Sequence, residues 1–195
     1  SVSDEELVEK IKKGDIDAYE EIIKKYENKV CGIIYHMIKN QNDVEDLAQE
    51  VFIKVYKNLS KFKGDSSLYT WIYKITVNLC LDEVKKRKNI IYLDEKLEVE
   101  DGELERELPS SDKTQVELYE EKELKEKLHK CIGKLPEKQR VMIVLRDIKG
   151  FSYEEISEIT SVKLGTVKSQ INRARLKLKE LLDKEGTFLE YIESK

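Results

Sequence analysis

An all-α fold is what this chain predicts, on three observations. Capping side chains stand three positions before a glutamate at Ser3-Asp4-Glu5-Glu6, Asp17-Ala18-Tyr19-Glu20, Asn42-Asp43-Val44-Glu45 and Ser152-Tyr153-Glu154-Glu155, the spacing that satisfies the orphan donors of a helix start. Behind each start, apolar residues recur with the helical period. No stretch alternates apolar and polar residues over a strand's length, and no Asn-Gly or Asp-Gly hairpin turn separates two such stretches. Only two prolines and eight glycines interrupt 195 residues.

The first helical domain is expected over residues 1–88. Within it Val44, Leu47, Ala48, Val51, Phe52, Val55 and Leu59 share a stripe that must face a core. Asp46, Gln49, Glu50, Ile53 and Lys57 fall on the opposite face, and an outward isoleucine among acidic and polar groups reads either as a protein-docking face or as ordinary surface. The next helix, from about Ser66 to Arg87, turns Leu68, Ile72, Ile75 and Leu79 inward and aligns Lys74, Asn78 and Lys85 on another side, with Trp71 at the border. The run Lys85-Lys86-Arg87-Lys88 suits a helix C-terminus through the macrodipole. An aromatic beside a polar and basic line also suits stacking on unpaired bases. The residues alone leave both readings open.

Composition changes over 89–115, where nine acids face three bases, a net charge of −6 against −4 for the whole chain. With few apolar residues and a Pro-Ser-Ser break at 109–111, this segment reads as a flexible acidic linker. The net charge of −4, from 36 basic and 40 acidic side chains, excludes a global attraction to nucleic acid, but the remainder carries +2.

A second domain is expected over 116–183, followed by a tail at 184–195. Ser152–Thr160 as a short helix, Ser161–Gly165 as a turn and Thr166–Leu182 as a second helix form a helix-turn-helix layout. Val167, Ile171, Ala174, Leu178 and Leu181 share the core face of the second helix, while Lys168, Ser169, Asn172 and Arg173 project from the other. Six bases and no acid occur from Lys163 to Lys179. Such a stripe holds phosphates whatever the net charge, because charges more than about 8–10 Å away are screened at physiological salt. Short polar side chains near the start of that helix allow close approach to base edges in a major groove.

Other function classes find no support. Cys31, Cys80 and Cys131 lie far apart with no paired-cysteine spacing and no histidine at ligand spacing, so they are expected to be reduced, buried apolar groups and no metal is expected. No apolar run approaches the about 20 residues needed to cross a bilayer, and SVSDEELVEK is acidic, unlike a secretory signal; the expectation is a cytoplasmic protein without membrane insertion. With no phosphate-cradling glycine loop, paired-carboxylate site or nucleophile–base signature, neither enzymatic activity nor a cofactor is expected.

Together these segments resemble the bacterial extracytoplasmic-function (ECF) sigma factors of RNA polymerase, over nearly the whole chain except linker and tail. The markers are Asp43-Val44-Glu45-Asp46-Leu47-Ala48-Gln49-Glu50-Val51-Phe52; then Phe62-Lys63-Gly64-Asp65-Ser66 with Tyr69-Thr70-Trp71-Ile72, Ile75, Val77 and Asn78; then Leu135-Pro136, Ser152-Tyr153-Glu154-Glu155-Ile156, Gly165-Thr166-Val167-Lys168-Ser169 and Arg173-Ala174-Arg175. The resemblance implies that Asp46, Gln49, Glu50 and Ile53 contact the clamp helices of the core polymerase's largest subunit. It implies that Phe62, Gly64, Asp65 and Ser66 line a pocket for a flipped base of the −10 promoter element, beside Trp71, Lys74, Asn78 and Lys85. It further implies that Thr166, Lys168, Ser169, Gln170, Asn172 and Arg173 read the −35 element, with Arg175 and Lys177 on phosphates. Core polymerase, including its flap region, promoter DNA and an anti-sigma factor, often membrane-anchored and tied to a stress response, are the partners it implies. Gln170 stands where the family commonly has arginine, and Thr160-Ser161 replace the usual Leu-Gly before the turn. The remaining alternative is a helix-turn-helix regulator that acts on an operator without joining polymerase.

Overall fold

The computed structural model describes residues 2–93 and 114–186; the side chains of 91–93 are excluded. Every regular element among the described residues is helical: α1 Asp4–Lys12, α2 Ile16–Met37, α3 Val44–Asn58, α4 Leu68–Leu93, α5 Gln115–Gly133, α6 Glu137–Ile143, α7 Tyr153–Thr160 and α8 Leu164–Lys184, with 3-10 turns at Gln41–Asp43 and Leu59–Lys61. α4 runs five residues past the expected domain end at 88, and α5 starts one residue before 116. The rest of the acidic segment, 94–113, and most of the tail, 187–195, lie outside the described residues.

Helix starts follow local chemistry. Ser3 with Glu6 and Ser152 with Glu155 form reciprocal capping boxes, as expected, and Thr114 with Glu117 forms a third. The other two expected starts shift. Asp15, not Asp17, caps α2 by accepting from the Ala18 amide, because it stands just outside the helix in extended geometry. Ahead of α3, Asn40 caps the 3-10 turn and Asp43 makes no side-chain cap; its carboxylate accepts from Arg87 instead.

α1, α2 and α3 pack with α4 into the first body, around Ile22, Val30, Ile33, Ile34, Val51, Val55 and Ile72. The whole stripe expected on α3 is buried. On α4, Leu68, Ile72 and Leu79 are buried and Ile75 is half-buried, yet Tyr73, Thr76, Val77 and Cys80 are buried too. α4 buries a second face because α7 packs on it from the second body.

α5 to α8 form that second body. Val167, Ile171, Ala174 and Leu178 are buried as expected; one turn on, Leu182 rather than Leu181 completes the core face, and Leu181 is half-buried. α6 widens at Val144–Ile148 into a π turn, closed by the Lys149 amide donating to the Val144 carbonyl at 2.9 Å. Gly150 follows at φ +73°, and the bend delivers Phe151 into the first body. There it meets Tyr73 at 5.2 Å, stacks on Tyr69 at 6.5 Å and receives the Lys29 ammonium at 5.1 Å.

The two bodies therefore form one continuous core. Across the junction the Tyr69 hydroxyl donates to Glu155, and Lys88 pairs with Glu137 at 2.8 Å. Burial raises the Glu155 carboxyl, but hydrogen bonds from Tyr69 and Ser152 outweigh it and hold the group below its ordinary value. Arg140, only 5% exposed, places Nη1 2.7 Å from the Met37 carbonyl at the end of α2. Its other donors reach the carbonyls of Ile132, Gly133 and Leu135 at 3.2, 2.8 and 2.9 Å, so one guanidinium closes the C-terminal ends of α2 and α5.

Candidate nucleic-acid interface

Three exposed constellations remain once the core is assigned. On α3, Asp46, Gln49, Glu50 and Ile53 are all exposed, Ile53 at 53%. Tyr56, one turn on and 51% exposed, adds an aromatic edge that the sequence reading missed; its spacing of three from Ile53 is the available signal. Tyr56 rests on Tyr19 at 5.0 Å, and the Tyr19 hydroxyl donates to the Phe52 carbonyl, so the apolar spot has a fixed base. Burial pushes the Tyr19 hydroxyl up to about 12, which keeps it a neutral donor.

The second constellation joins the segment before α4 to one line of that helix. Phe62 and Trp71 are half-buried and pack with ring centroids 5.2 Å apart. Between them, Gly64 turns the chain at φ +78°, a conformation that costs glycine nothing, and leaves Gly64 and Asp65 exposed and Ser66 half-buried. Ser67 caps α4, its hydroxyl oxygen accepting from the Thr70 amide at 3.3 Å. Trp71, Lys74, Asn78 and Lys85 then fall within a sector about 60° wide along about 21 Å of helix. Asn78 and Lys85 are exposed and Lys74 half-exposed. Of the eight residues of this predicted group, Trp71, Lys74, Asn78 and Lys85 share one line of α4, and the loop joins that line through the contact of Phe62 with Trp71. Trp71 serves it from the border, braced by Phe62 rather than free to swing.

The third constellation is the helix-turn-helix. α7 ends at Ser161 in the left-handed region, φ +57°, and the chain between α7 and α8 is held by Ser157 donating to the Val162 carbonyl at 2.6 Å. α8 begins at Leu164, two residues before the expected start. Thr166, Lys168, Ser169, Asn172 and Arg173 are exposed and Gln170 half-exposed. Lys168 lies 5.8 Å from the Tyr153 ring, against which Arg146 also sits at 4.6 Å, and Arg175 is a further cationic neighbour of Tyr153. Two of the predicted phosphate contacts are engaged within the chain: Arg175 forms a two-pronged pair with Asp147, at 3.0 and 2.6 Å, and Lys177 lies 3.3 Å from Glu180. Leu176, 64% exposed, is an apolar residue on the same face that the charge pattern concealed.

Of the cysteines, Cys80 and Cys131 are buried and Cys31 is half-buried, all as free thiols; burial pushes Cys80 up to about 12. Among the described residues no helix is long and apolar enough to cross a membrane.

Comparison with known proteins matches the chain to two family models: Sigma-70 region 2 covers residues 22–90, and Sigma-70, region 4 covers residues 125–178. The chain is 34% identical to the RNA polymerase sigma-H factor of Pseudomonas aeruginosa over 184 residues, 93% of this chain and 92% of that one. It is 35% identical to the ECF RNA polymerase sigma factor SigW of Bacillus subtilis, over 90% of this chain and 94% of that one. Against the ECF RNA polymerase sigma-E factor of Escherichia coli K12 the identity is 35%, covering 89% and 91%. Among solved structures, the sigma factor RpoE from Bartonella quintana, in complex with the anti-sigma factor NepR, superposes with a TM-score of 0.67 at 24% identity, covering 85% of this chain and 96% of that one. CnrH, in complex with the cytosolic domain of CnrY, gives 0.66 at 21%, covering 91% and 96%. At those identities the structural likeness is one of fold, whereas the sequence matches extend over nearly the full chain. With region 2 on the first body, region 4 on the second and full-length relatives above 30% identity, this chain belongs to the ECF family of RNA polymerase sigma factors.

Proposed function

We propose that the chain is a dissociable cytoplasmic initiation subunit whose three exposed constellations divide the work of sigma-directed transcription. The α3 face, with Asp46, Gln49, Glu50, Ile53 and Tyr56, docks on the clamp helices of core polymerase: an apolar spot ringed by acids supplies both burial and charge selection. The Phe62–Ser66 turn and the Trp71–Lys74–Asn78–Lys85 line take the melted −10 strand. Taking a base out of the stack costs a few kcal/mol, which stacking on the mutually braced Phe62 and Trp71 rings offsets in part. The start of α8 enters the −35 major groove, where Ser169 and Asn172 reach base edges. Lys168 and Arg173 add charge there, and Gln170 presents an amide suited to adenine in place of an arginine suited to guanine. Arg175 and Lys177 reach phosphate only by exchanging their carboxylate partners.

The observation that carries this reading is the placing of an acidic and apolar face and two polar, basic faces on separate helices, each with exposed side chains. It also requires movement. Elements at −35 and −10 are roughly 85 Å apart at about 3.4 Å per base pair, whereas a compact chain of this length spans about 40 Å. The bodies therefore separate on promoter DNA. The 20 residues from 94 to 113 reach roughly 70 Å when extended. An anti-sigma partner, as in the complexes of the structural relatives, holds the chain off polymerase until a signal arrives.

Gel-shift titration of promoter fragments with and without core polymerase tests the reading. Binding that is weak for the chain alone and at least about 100-fold tighter with core supports it. Equally tight duplex binding without core identifies a stand-alone operator regulator.

A further inference from the structure

The two histidines of the chain, His36 and His129, meet at the junction of the two bodies. His36 sits in the last turn of α2 and His129 in α5, with their Nδ1 atoms 3.1 Å apart. Tyr35 stacks on His129 at 4.3 Å with an 18° interplanar angle. Gln41 Nε2 lies 3.1 Å from His129 Nε2 and 3.4 Å from the Tyr35 carbonyl, and that carbonyl fixes the end of the amide that donates.

With the Gln41 amide donating to the Tyr35 carbonyl, and its Oε1 buried without a partner, one protonation pattern fits this geometry. Gln41 donates to His129 Nε2, so His129 carries its proton on Nδ1 and donates it to His36 Nδ1, which must be bare. The relay closes only when both rings are neutral. A proton added to His129 Nε2 faces the Gln41 amide protons, and one added to His36 Nδ1 faces the His129 N–H, so either opposes donor to donor inside the junction. The surrounding charges act in the same direction. Lys149, after the π turn, lays its ammonium against Gly32 of α2 and acts on His36; Arg140 of α6 acts on His129. Tyr35 and Gln41 also lie against the pair, and the charged α5 neighbours Lys125, Glu126 and Lys130 are exposed. Burial first, then His129 and Lys149, holds His36 down to about 3; burial and then Arg140 lower His129.

We propose that His36 and His129 are a proton-sensitive latch between the two bodies, closed while both imidazoles are neutral and released as the medium acidifies between pH 7.5 and 5. The sign follows from linkage. The closed form binds protons less readily than the open form, whose imidazoles titrate near the ordinary value, so closure is fully favoured above about 6.5 and is lost progressively below it. With both rings neutral in the closed form, the closed-to-open ratio falls about 100-fold between pH 7.5 and 5.5, about tenfold for each histidine. The bodies that part are those which the sigma reading requires to separate on DNA, so the latch rests on that reading for its consequence but not for its existence.

Small-angle scattering of the full chain, with no polymerase or DNA present, tests the latch apart from the sigma reading. At pH 7.5 the radius of gyration should be near the about 16 Å of a compact chain of this length. At pH 5 it should rise while helical circular dichroism is unchanged, and H36Q/H129Q, whose amides take up no proton, should lose this pH dependence. An unchanged radius at pH 5, expansion only with loss of helicity, or the same pH course in H36Q/H129Q overturns the latch. Imidazole proton resonances of the unmodified chain give a variant-free reading: midpoints between about 5 and 6 that track the expansion support the latch, and midpoints near 6.5 or below 5 contradict it.

Discussion

Arg140 shows what a single residue contributes here. A charge buried with no carboxylate in hydrogen-bond contact is costly unless its donors are satisfied; Glu137 acts on Arg140 through space, and the Arg140 donors reach four main-chain carbonyls, of which Met37, Ile132 and Gly133 stand at helix C-terminal ends, where the macrodipole is negative. Removing the side chain leaves those carbonyls without their donors. Arg140→Ala should therefore cost about 3 kcal/mol, within the range for charged hydrogen-bonding groups, read as a lower midpoint in urea unfolding. Arg140→Lys should recover little of it, since an ammonium has no planar fork. At the site, Arg173→Ala should weaken −35 protection about tenfold, the equivalent of about 1.4 kcal/mol, with polymerase binding intact. Asn78→Ala should impair promoter opening, followed by permanganate reactivity of the −10 thymines, more than polymerase affinity. Equal loss of both would assign Asn78 to the fold. The residue types at these positions were legible because exposed polar side chains opposite an apolar stripe stand out in the sequence. Arg140 was not, because nothing in its spacing announces that four carbonyls from two bodies converge on it.

Among the elements, the caps and the turn carry the clearest lessons. Ser3 and Ser152 were readable as helix starts because each capping box is complete within four residues. At Asp17 and Asn42 the same pattern occurs just inside a helix or a 3-10 turn, where an upstream Asp15 or Asn40 takes the cap. α4 was read with one inward face because Tyr69, Tyr73 and Thr76 look amphipathic in sequence; against α7 and Phe151 they become a second packing surface. The turn holds Ser161 in the left-handed region, where a β-carbon costs about 1–2 kcal/mol. Glycine avoids that strain but loses about 0.5–1 kcal/mol through its freer unfolded chain. Ser161→Gly should therefore stabilise the protein by about 0.5–1 kcal/mol, measurable as a thermal midpoint higher by about 1–4 °C at this chain length. An unchanged or lowered midpoint would show that serine's own contacts offset the strain.

For the whole molecule, charge segregation and the docking of the two bodies matter most. The overall −4 conceals an acidic segment at 89–115 and a basic start to α8, and both were readable by counting along the chain. The docked arrangement was not readable. A polar linker suggests independence, and the groups that oppose it, Phe151 inserted against Tyr69 and Tyr73 and Arg140 on the Met37 carbonyl, pair residues far apart in sequence. Deleting the wedge with Phe151→Ala should expand the chain at neutral pH with little loss of helicity, as seen by scattering and circular dichroism. The docked form keeps the three exposed constellations on one unit, and the proposed function has that arrangement exchanged, on joining polymerase, for one stretched over a promoter. Run-off transcription with purified core polymerase on genomic promoter fragments is the most direct test of this account. It predicts discrete transcripts that require the chain, initiate downstream of paired −35 and −10 sequences and are lost with Asn78→Ala; absence of any chain-dependent transcript, together with failure to form a stable complex with core polymerase, would contradict it.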